Sequence, residues 1–377
     1  MKAKQKLPFI DKVFLWINCG LCLALLVSYL APVTNPNKTW LIAFFGLAYP
    51  PLLFTNIIMI AYWLLRKSWL VLISALSILC GFGVLQNNIG FHPGNRNMVK
   101  SQAENAVRMM TYNVHDFKKY GSGKDISTKH EILNMIADQQ PDIIVMQEFY
   151  TRIRGQYAMV DSMKKIIGSA NYYFESFDGN EDEKTGIAIF SKFPIVSKGL
   201  IQLSPLYSGN QCLYADVKKG NHIFRVYSVH LQSINFEPVD YKYIDTVTKK
   251  GKPDFSSTKR LGGKLKRAFM KRAEQVALIR AHAKQCPYPY IIAGDFNDTP
   301  SSYAVNQMAK GLKNAFVEKG FGLGRTYNGD FPNYQIDYIM VSPQFDVASY
   351  TIIEKKLSDH YPVFADLVLK GPVSNSK

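Results

Sequence analysis

Three apolar stretches within the first ninety residues constrain this chain most, because each is long enough to cross a lipid bilayer. Phe14–Leu30 runs 17 residues without a charge, Trp40–Leu65 runs 26 around Pro50 and Pro51, and Trp69–Leu85 runs another 17. A helix needs about 17–25 residues to traverse a hydrocarbon core. Residues 1–100 hold nine Lys/Arg and a single acid, Asp11. Three such runs in succession argue against a buried bundle in a soluble protein. The first run also lacks the small-residue cleavage site of a removable leader. The pattern predicts three transmembrane helices forming an anchor over residues 1–86. Lys2, Lys4, Lys6 and Lys12 precede the first run, Arg66 and Lys67 separate the second from the third, and the loop between the first two has only Lys38. By the positive-inside rule the N-terminus is cytoplasmic and everything after Leu85 lies outside. The expectation is a multi-pass inner-membrane protein with a periplasmic domain.

Residues 101–377 are of another kind, with 36 basic and 28 acidic residues. The chain is 47% hydrophobic and 20% charged, which excludes a disordered protein. Five cysteines in 377 residues exclude a disulfide scaffold. Cys212 and Cys286 are the two that an oxidising compartment would allow to pair.

Residues 87–106 are polar and read as a linker to a domain over 107–370. Strands are predicted over Val107–Asn113, Asp142–Gln147, Gly186–Phe190, Phe224–Val229, Tyr290–Ala293 and Ile336–Val341, each rich in β-branched or aromatic residues. Ser127–Gln139 reads as a helix capped by Ser127 or Thr128, and Arg272–Ala283 and Ser302–Lys310 as further helices. Strands with interspersed helices in about 270 residues imply a layered α/β domain.

Charge is concentrated in one place. Tyr241–Arg272 holds eleven Lys/Arg against Asp245 and Asp254, and the rest of the soluble domain is nearly neutral, at 25 basic and 26 acidic residues. It reads as a solvated loop leading into a helix, or as a surface that attracts something rich in phosphate.

Polar residues recur where strands stop: Asn113, Glu148, His230, Asp295 with Asn297, Asp337, and the pair Asp359-His360. Singly, each is an ordinary turn, cap or surface residue. Together they differ, because the strand ends of a sheet share one rim. Glu148 and Asn113 offer hard oxygen donors that suit Mg²⁺ or Mn²⁺ rather than zinc. An Asp such as Asp337 bonded to His360 would fix the imidazole so that its other nitrogen acts as a base.

The segments MTYNVHDF, IIVMQEF, TGIAIFSKFPI, YSVHLQ, IIAGDFND, QIDYIMVS and LSDHYPVFADL, in this order, resemble the motif set of the endonuclease/exonuclease/phosphatase superfamily. The resemblance covers roughly residues 107–370. It implies a four-layer α/β/β/α sandwich of two mixed sheets and divalent-metal-dependent hydrolysis of a phosphate ester by in-line attack of water. Carried over by motif, Glu148, Asn113 and Asp359 would hold the metal and His360 would be the base oriented by Asp337. Asp295 and Asn297 would align the water, and His230 would donate to the phosphoryl or leaving oxygen. The deoxyribonuclease-like branch pairs the first histidine with an upstream acid, for which Glu175 and Glu183 are the candidates.

The sequence expectation is therefore a membrane-anchored phosphodiesterase, with nucleic acid as the first substrate and no protein partner. Lys264, Lys266 and Arg267 of the basic segment are its expected substrate contacts. A sphingomyelinase-like lipid phosphodiesterase is the alternative, since an anchor would hold the site beside the bilayer. A catalytically idle receptor or scaffold is the reading from a different class.

Overall fold

The structure, a computed structural model, describes residues 7–93, 105–119, 121, 123, 125–204, 208–329 and 333–370. The N-terminal segment forms helices α1 (Phe9–Ser28), α2 (Leu41–Leu47), α3 (Tyr49–Leu65), α4 (Val71–Cys80) and α5 (Phe82–Asn88). Three spans were expected, the second with room to tilt or kink at Pro50-Pro51, and the structure breaks both the second and the third. Among the described residues α1 alone is long and apolar enough, by length and composition, to cross a membrane as one helix. The pair α2–α3 is bent by 60° and the pair α4–α5 by 73°. Pro50 and Pro51 open α3, and a residue without an N–H starts a helix more readily than it continues one. At the second bend the Tyr29 ring lies where a Cβ on Gly81 would sit, 2.0 Å away, so only glycine admits that packing. Buried polar groups join the helices. Ser74 Oγ lies 3.0 Å from Asn18 Oδ1 and 2.9 Å from Asn56 Oδ1, and Trp63 Nε1 donates to Asn18 Oδ1 at 3.2 Å. Such bonds favour helix association where apolar burial gives little drive.

The rest of the chain runs through β1 (Gly90–Phe91), β2 (Ala106–Asn113), α6 (Ile126–Gln139), β3 (Ile143–Arg152), α7 (Met159–Ile167), β4 (Asn171–Gly179), β5 (Glu183–Ser191) and β6 (Ile195–Gln202). It continues with β7 (Gln211–Lys219), β8 (His222–His230), α8 (Pro238–Lys250), α9 (Phe255–Lys284), β9 (Tyr290–Asp295) and α10 (Tyr303–Ala309). It ends with β10 (Lys313–Asn314), α11 (Ala315–Lys319), β11 (Phe321–Gly322), β12 (Asp337–Val341), β13 (Phe345–Ile352) and β14 (Val363–Leu369). One six-stranded sheet has the order β13-β14-β2-β3-β5-β4 and the other β10-β12-β9-β8-β7-β6. Both are mixed: β2–β3 and β8–β9 are parallel, and their other pairs are antiparallel.

Alternation along the strands builds the layers. Val107, Met109, Ile143 and Val145 of the first sheet meet Leu213, Ala215, Val226 and Ile291 of the second in one core. The intervening Met110, Tyr112, Ile144 and Met146 pack under α6 and α7. Tyr227, Val229, Ile292 and Met340 pack under α9 and α10. The result is helix, sheet, sheet, helix.

Several expectations shift in detail. Asp125, rather than Ser127 or Thr128, caps α6 by accepting from both of their backbone N–H groups. The basic segment is a helical hairpin, with α9 beginning at Phe255 rather than Arg272. Cys212 and Cys286 are free thiols. Part of the expected linker is ordered, since β1 pairs with β11 and Asn88 Nδ2 donates to Ser301 Oγ at 2.9 Å, while residues 94–104 lie outside the described set. The helical segment thus docks directly on the loop that follows β9.

Candidate active site

Strand register brings the polar residues to one rim. His230 ends β8 opposite Asp295, which ends β9, and Asp295 lies opposite Asp337, the first residue of β12. From the other sheet, Asn113 ends β2, and Glu148 sits in β3 where its pairing with β5 shifts between Met146 and Phe149. Glu148 adopts a left-handed backbone, φ 50°, which breaks the alternation of the strand. Gly294 permits the approach of β9 to β8: a Cβ there would meet the Val229 carbonyl oxygen at 2.0 Å.

Asp295 is the hub. Its Oδ2 accepts from Asn113 Nδ2 at 3.1 Å and Asn297 Nδ2 at 3.2 Å, and its Oδ1 accepts from the Asn297 backbone N–H at 2.8 Å. His230 Nε2 and His360 Nε2 each lie 3.7 Å from Asp295 Oδ2. His360 Nδ1 pairs with Asp337 Oδ2 at 2.9 Å, so a donor at Nδ1 leaves Nε2 facing Asp295. Asn113 Nδ2 also reaches Glu148 Oε1 at 3.3 Å. Ser358 locks the turn, donating to the Asn113 carbonyl at 2.9 Å and accepting from the His360 backbone N–H at 3.1 Å.

The electrostatics follow from crowding. Burial pushes the Asp295 carboxyl up, the nearby Asp337 charge adds to it, and the two imidazoles do not fully offset them, leaving it at about 6. Burial opposes protonation of His360, but the Asp337 and Asp295 carboxylates outweigh it and raise its pKa well above the ordinary value. Burial also acts to raise Glu148, yet the His115 hydrogen bond and the surrounding imidazoles hold it down at about 2. Four carboxylates (Glu148, Asp295, Asp337 and Asp359) therefore share the rim, and Asp337 Oδ1 is buried without a hydrogen-bond partner among the described residues. Ligand atoms of Asp295, Asp337 and His360 all lie within 4.8 Å of one another. Negative charge and hard oxygen donors in this density fit a divalent cation.

His115 was not singled out from the sequence, although it lies in the same segment as Asn113. Its Nδ1 lies 3.3 Å from Glu148 Oε2 and 3.7 Å from Asp359 Oδ1. Its location two residues beyond a strand end was the available signal. Arg272 and Asp298 were missed too; they form a buried ion pair at 3.4 Å beneath the site.

The expected substrate contacts are not brought to the rim. Lys264 Nζ pairs with Asp240 at 2.7 Å and Glu237 at 3.0 Å, bracing α9 to the start of α8. Lys266 stands over the Trp40 ring at 4.6 Å, and Arg267 is exposed. Neither candidate upstream acid, Glu175 or Glu183, pairs with His230, whose Nε2 instead lies 3.9 Å from Glu148 Oε1. Glu175 accepts from Tyr173 and Glu183 from Tyr150, while His230 Nδ1 is buried and unpartnered among the described residues.

A family model described as the Endonuclease/Exonuclease/phosphatase family matches residues 110–360. The chain belongs to this family. A second model, for a domain of unknown function, matches residues 11–88. No curated protein matches the sequence. Among solved structures, an endonuclease/exonuclease/phosphatase from Beutenbergia cavernae aligns at 19% identity and TM-score 0.51, over 72% of this chain and 73% of that one. A family protein from Bacteroides thetaiotaomicron aligns at 20% identity and TM-score 0.51, over 71% of this chain and 98% of its own. The human Nocturnin catalytic domain, solved with a bound sulfate, aligns at 17% identity and TM-score 0.50, over 72% and 97%. At these identities the likeness is one of fold.

Proposed function

We propose that this family member hydrolyses a phosphate ester with the help of a divalent cation, Mg²⁺ or Mn²⁺. The observation that carries the reading is the 2.9 Å His360–Asp337 pair, whose free nitrogen faces the Asp295 hub. Glu148, Asn113 and Asp359 are the residues that would hold the cation, which would offset charge developing on the phosphoryl oxygens. Asp337 fixes the orientation of His360, and a bound cation, by offsetting the carboxylate charge that raises the His360 pKa, would leave Nε2 with Asp295 able to take a proton from an attacking water. Asn297 and Asn113 hold Asp295 in place. His230, on the far side of Asp295, is placed to donate to a phosphoryl or leaving oxygen. The water oxygen bonds to phosphorus, the ester P–O bond breaks, and the departing oxygen takes up a proton.

The apolar helical segment supports attachment to a membrane, and the distribution of Lys and Arg supports a periplasmic catalytic domain. Nucleic acid as substrate drew its support from the basic segment. That support weakens where Lys264, Arg260 and Lys249 pair with Asp240 and Asp245, and where Arg272 is buried against Asp298. The test uses the full-length protein in detergent, with Mg²⁺ or with chelator, on a chromogenic phosphate diester, a monoester and supercoiled plasmid. Metal-dependent turnover that His360→Ala lowers by about 100-fold or more is the expected result. Turnover of all three that ignores both chelator and mutation would overturn the assignment.

A further inference from the structure

One cavity of about 390 Å³ opens on the rim at Glu148, Asp295, Asn297, Asp359 and His360. That is the size of a small-molecule site, about 300–1,000 Å³. Its opposite wall is apolar. Leu261, Leu265 and Phe269 recur every four residues along α9, so they form one stripe, and Tyr241 and Ile244 of α8 face it. Leu47, at the corner between α2 and α3, completes the wall. The corner is tied in place: Tyr334 Oη donates to the Leu47 carbonyl at 3.3 Å, and Phe44 packs edge-on against Phe269 with ring centroids 5.4 Å apart. An apolar wall facing a phosphoester site is ill suited to the backbone of a nucleic acid, which presents charge along its whole length. It suits an ester with a hydrocarbon substituent.

Two further features point to where that substituent comes from. The wall is continuous with the helical segment, whose Leu41, Phe54, Ile57 and Ile58 are exposed. The outer side of the hairpin is basic and exposed at Lys242, Lys250, Lys252 and Lys259, with Val239 and Phe255 projecting among them. A helical hairpin that is apolar within and carries exposed lysines, with the exposed Phe255 at its tip, matches the charge and polarity of a bilayer interface.

We propose that the substrate is a phosphoester of a membrane lipid. Its hydrocarbon chain enters the chamber formed by α8, α9 and the α2–α3 corner while its phosphorus lies at the rim. This rests on the phosphoesterase reading of the same site. The basic segment then serves to dock the hairpin on headgroups, and its inner face selects the chain.

The test offers the full-length protein, with Mg²⁺, two pairs of probes that differ only in chain length. One pair is p-nitrophenyl ethyl phosphate and p-nitrophenyl dodecyl phosphate; the other is ethyl phosphate and dodecyl phosphate. In the pair that is cleaved, the dodecyl ester is expected to have a kcat/KM at least about tenfold higher, given the gain per buried methylene. The double variant Leu261→Asn, Leu265→Asn is expected to lower that dodecyl-to-ethyl ratio by about tenfold. Ile244→Asn, on the other helix, repeats the comparison should the double variant not fold. Equal turnover of ethyl and dodecyl esters, or a ratio unmoved by the folded variants, would overturn the lipid proposal and leave the phosphoesterase reading standing. Plasmid cleavage faster than that of every dodecyl ester would overturn it in favour of nucleic acid. Turnover of no probe and no plasmid would overturn the phosphoesterase reading itself.

Discussion

The rim and the α8–α9 hairpin face the same cavity from opposite sides and are built by opposite means. The rim carries its side chains on the ends of β2, β8 and β9, fixed by sheet register and by short hydrogen bonds such as His360 to Asp337. The hairpin is a wall of side chains on two helices braced by Lys264 and Arg260 against one buried carboxylate, Asp240. Chemistry needs positions held within fractions of an ångström, which register supplies. Selection of a hydrocarbon needs only a shaped apolar surface, and a hairpin inserted between two strands can change without disturbing the sheet. The two regions should therefore fail differently when perturbed.

The largest contrast is expected at His360. Replacing it with Ala should lower kcat by about 10²–10⁴-fold, the ordinary share of general-base catalysis, while a dodecyl-to-ethyl preference persists in the residual turnover. Steady-state kinetics on both probes check this. Next is Glu148→Gln. Cation binding at about 100 times its Kd should stabilise the wild type by about 2.7 kcal/mol, and the variant should lose most of that gain in calorimetry with Mg²⁺ or Mn²⁺. On the other side of the cavity, Asp240→Asn should cost about 1–3 kcal/mol, because it takes the shared carboxylate from Lys264 and Arg260. Hydrogen exchange should rise in α8 and the first half of α9 and not in β8 or β9.

The smallest effect is one of pH. Burial acts to raise the Asp240 pKa, but the Lys264 and Arg260 hydrogen bonds bring it down from 3.8 to about 2. A carboxyl depressed on folding adds stability above its unfolded pKa and loses it as pH falls toward the folded one. Pepsin nicking between α8 and α9 should therefore increase between about pH 4 and pH 2 in the wild type, and show a flatter profile in Asp240→Asn.

The same contrast explains what could be read from sequence alone. A residue such as Asp295 or His230 is visible because an apolar run stops there, and the paired sheets then do the assembling. Leu261, Leu265 and Phe269 are separated by Lys264, Lys266 and Arg267, so net charge hides their four-residue period. Charge also misdirects, because the acids that neutralise Lys264 lie just upstream, at Glu237 and Asp240, outside the segment counted. In the apolar segment, length and composition gave three runs of adequate length, and Pro50-Pro51 marked one bend. Nothing marked the other, since the need for glycine at 81 comes from a tyrosine 52 positions earlier. His115 escaped notice because its partner Glu148 is reached only once β2 and β3 lie side by side.

Two rim residues, Glu148 and Asn297, sit on left-handed backbone, at φ 50° and 53°. That conformation costs a side-chain-bearing residue on the order of 1 kcal/mol, and glycine escapes most of it. A glycine at either position would remove strain and with it the oxygens or amide that the proposed site calls for. Stability and turnover are thus opposed at these two codons. A search for thermally hardened variants, screened by melting temperature alone, would drift away from the proposed activity.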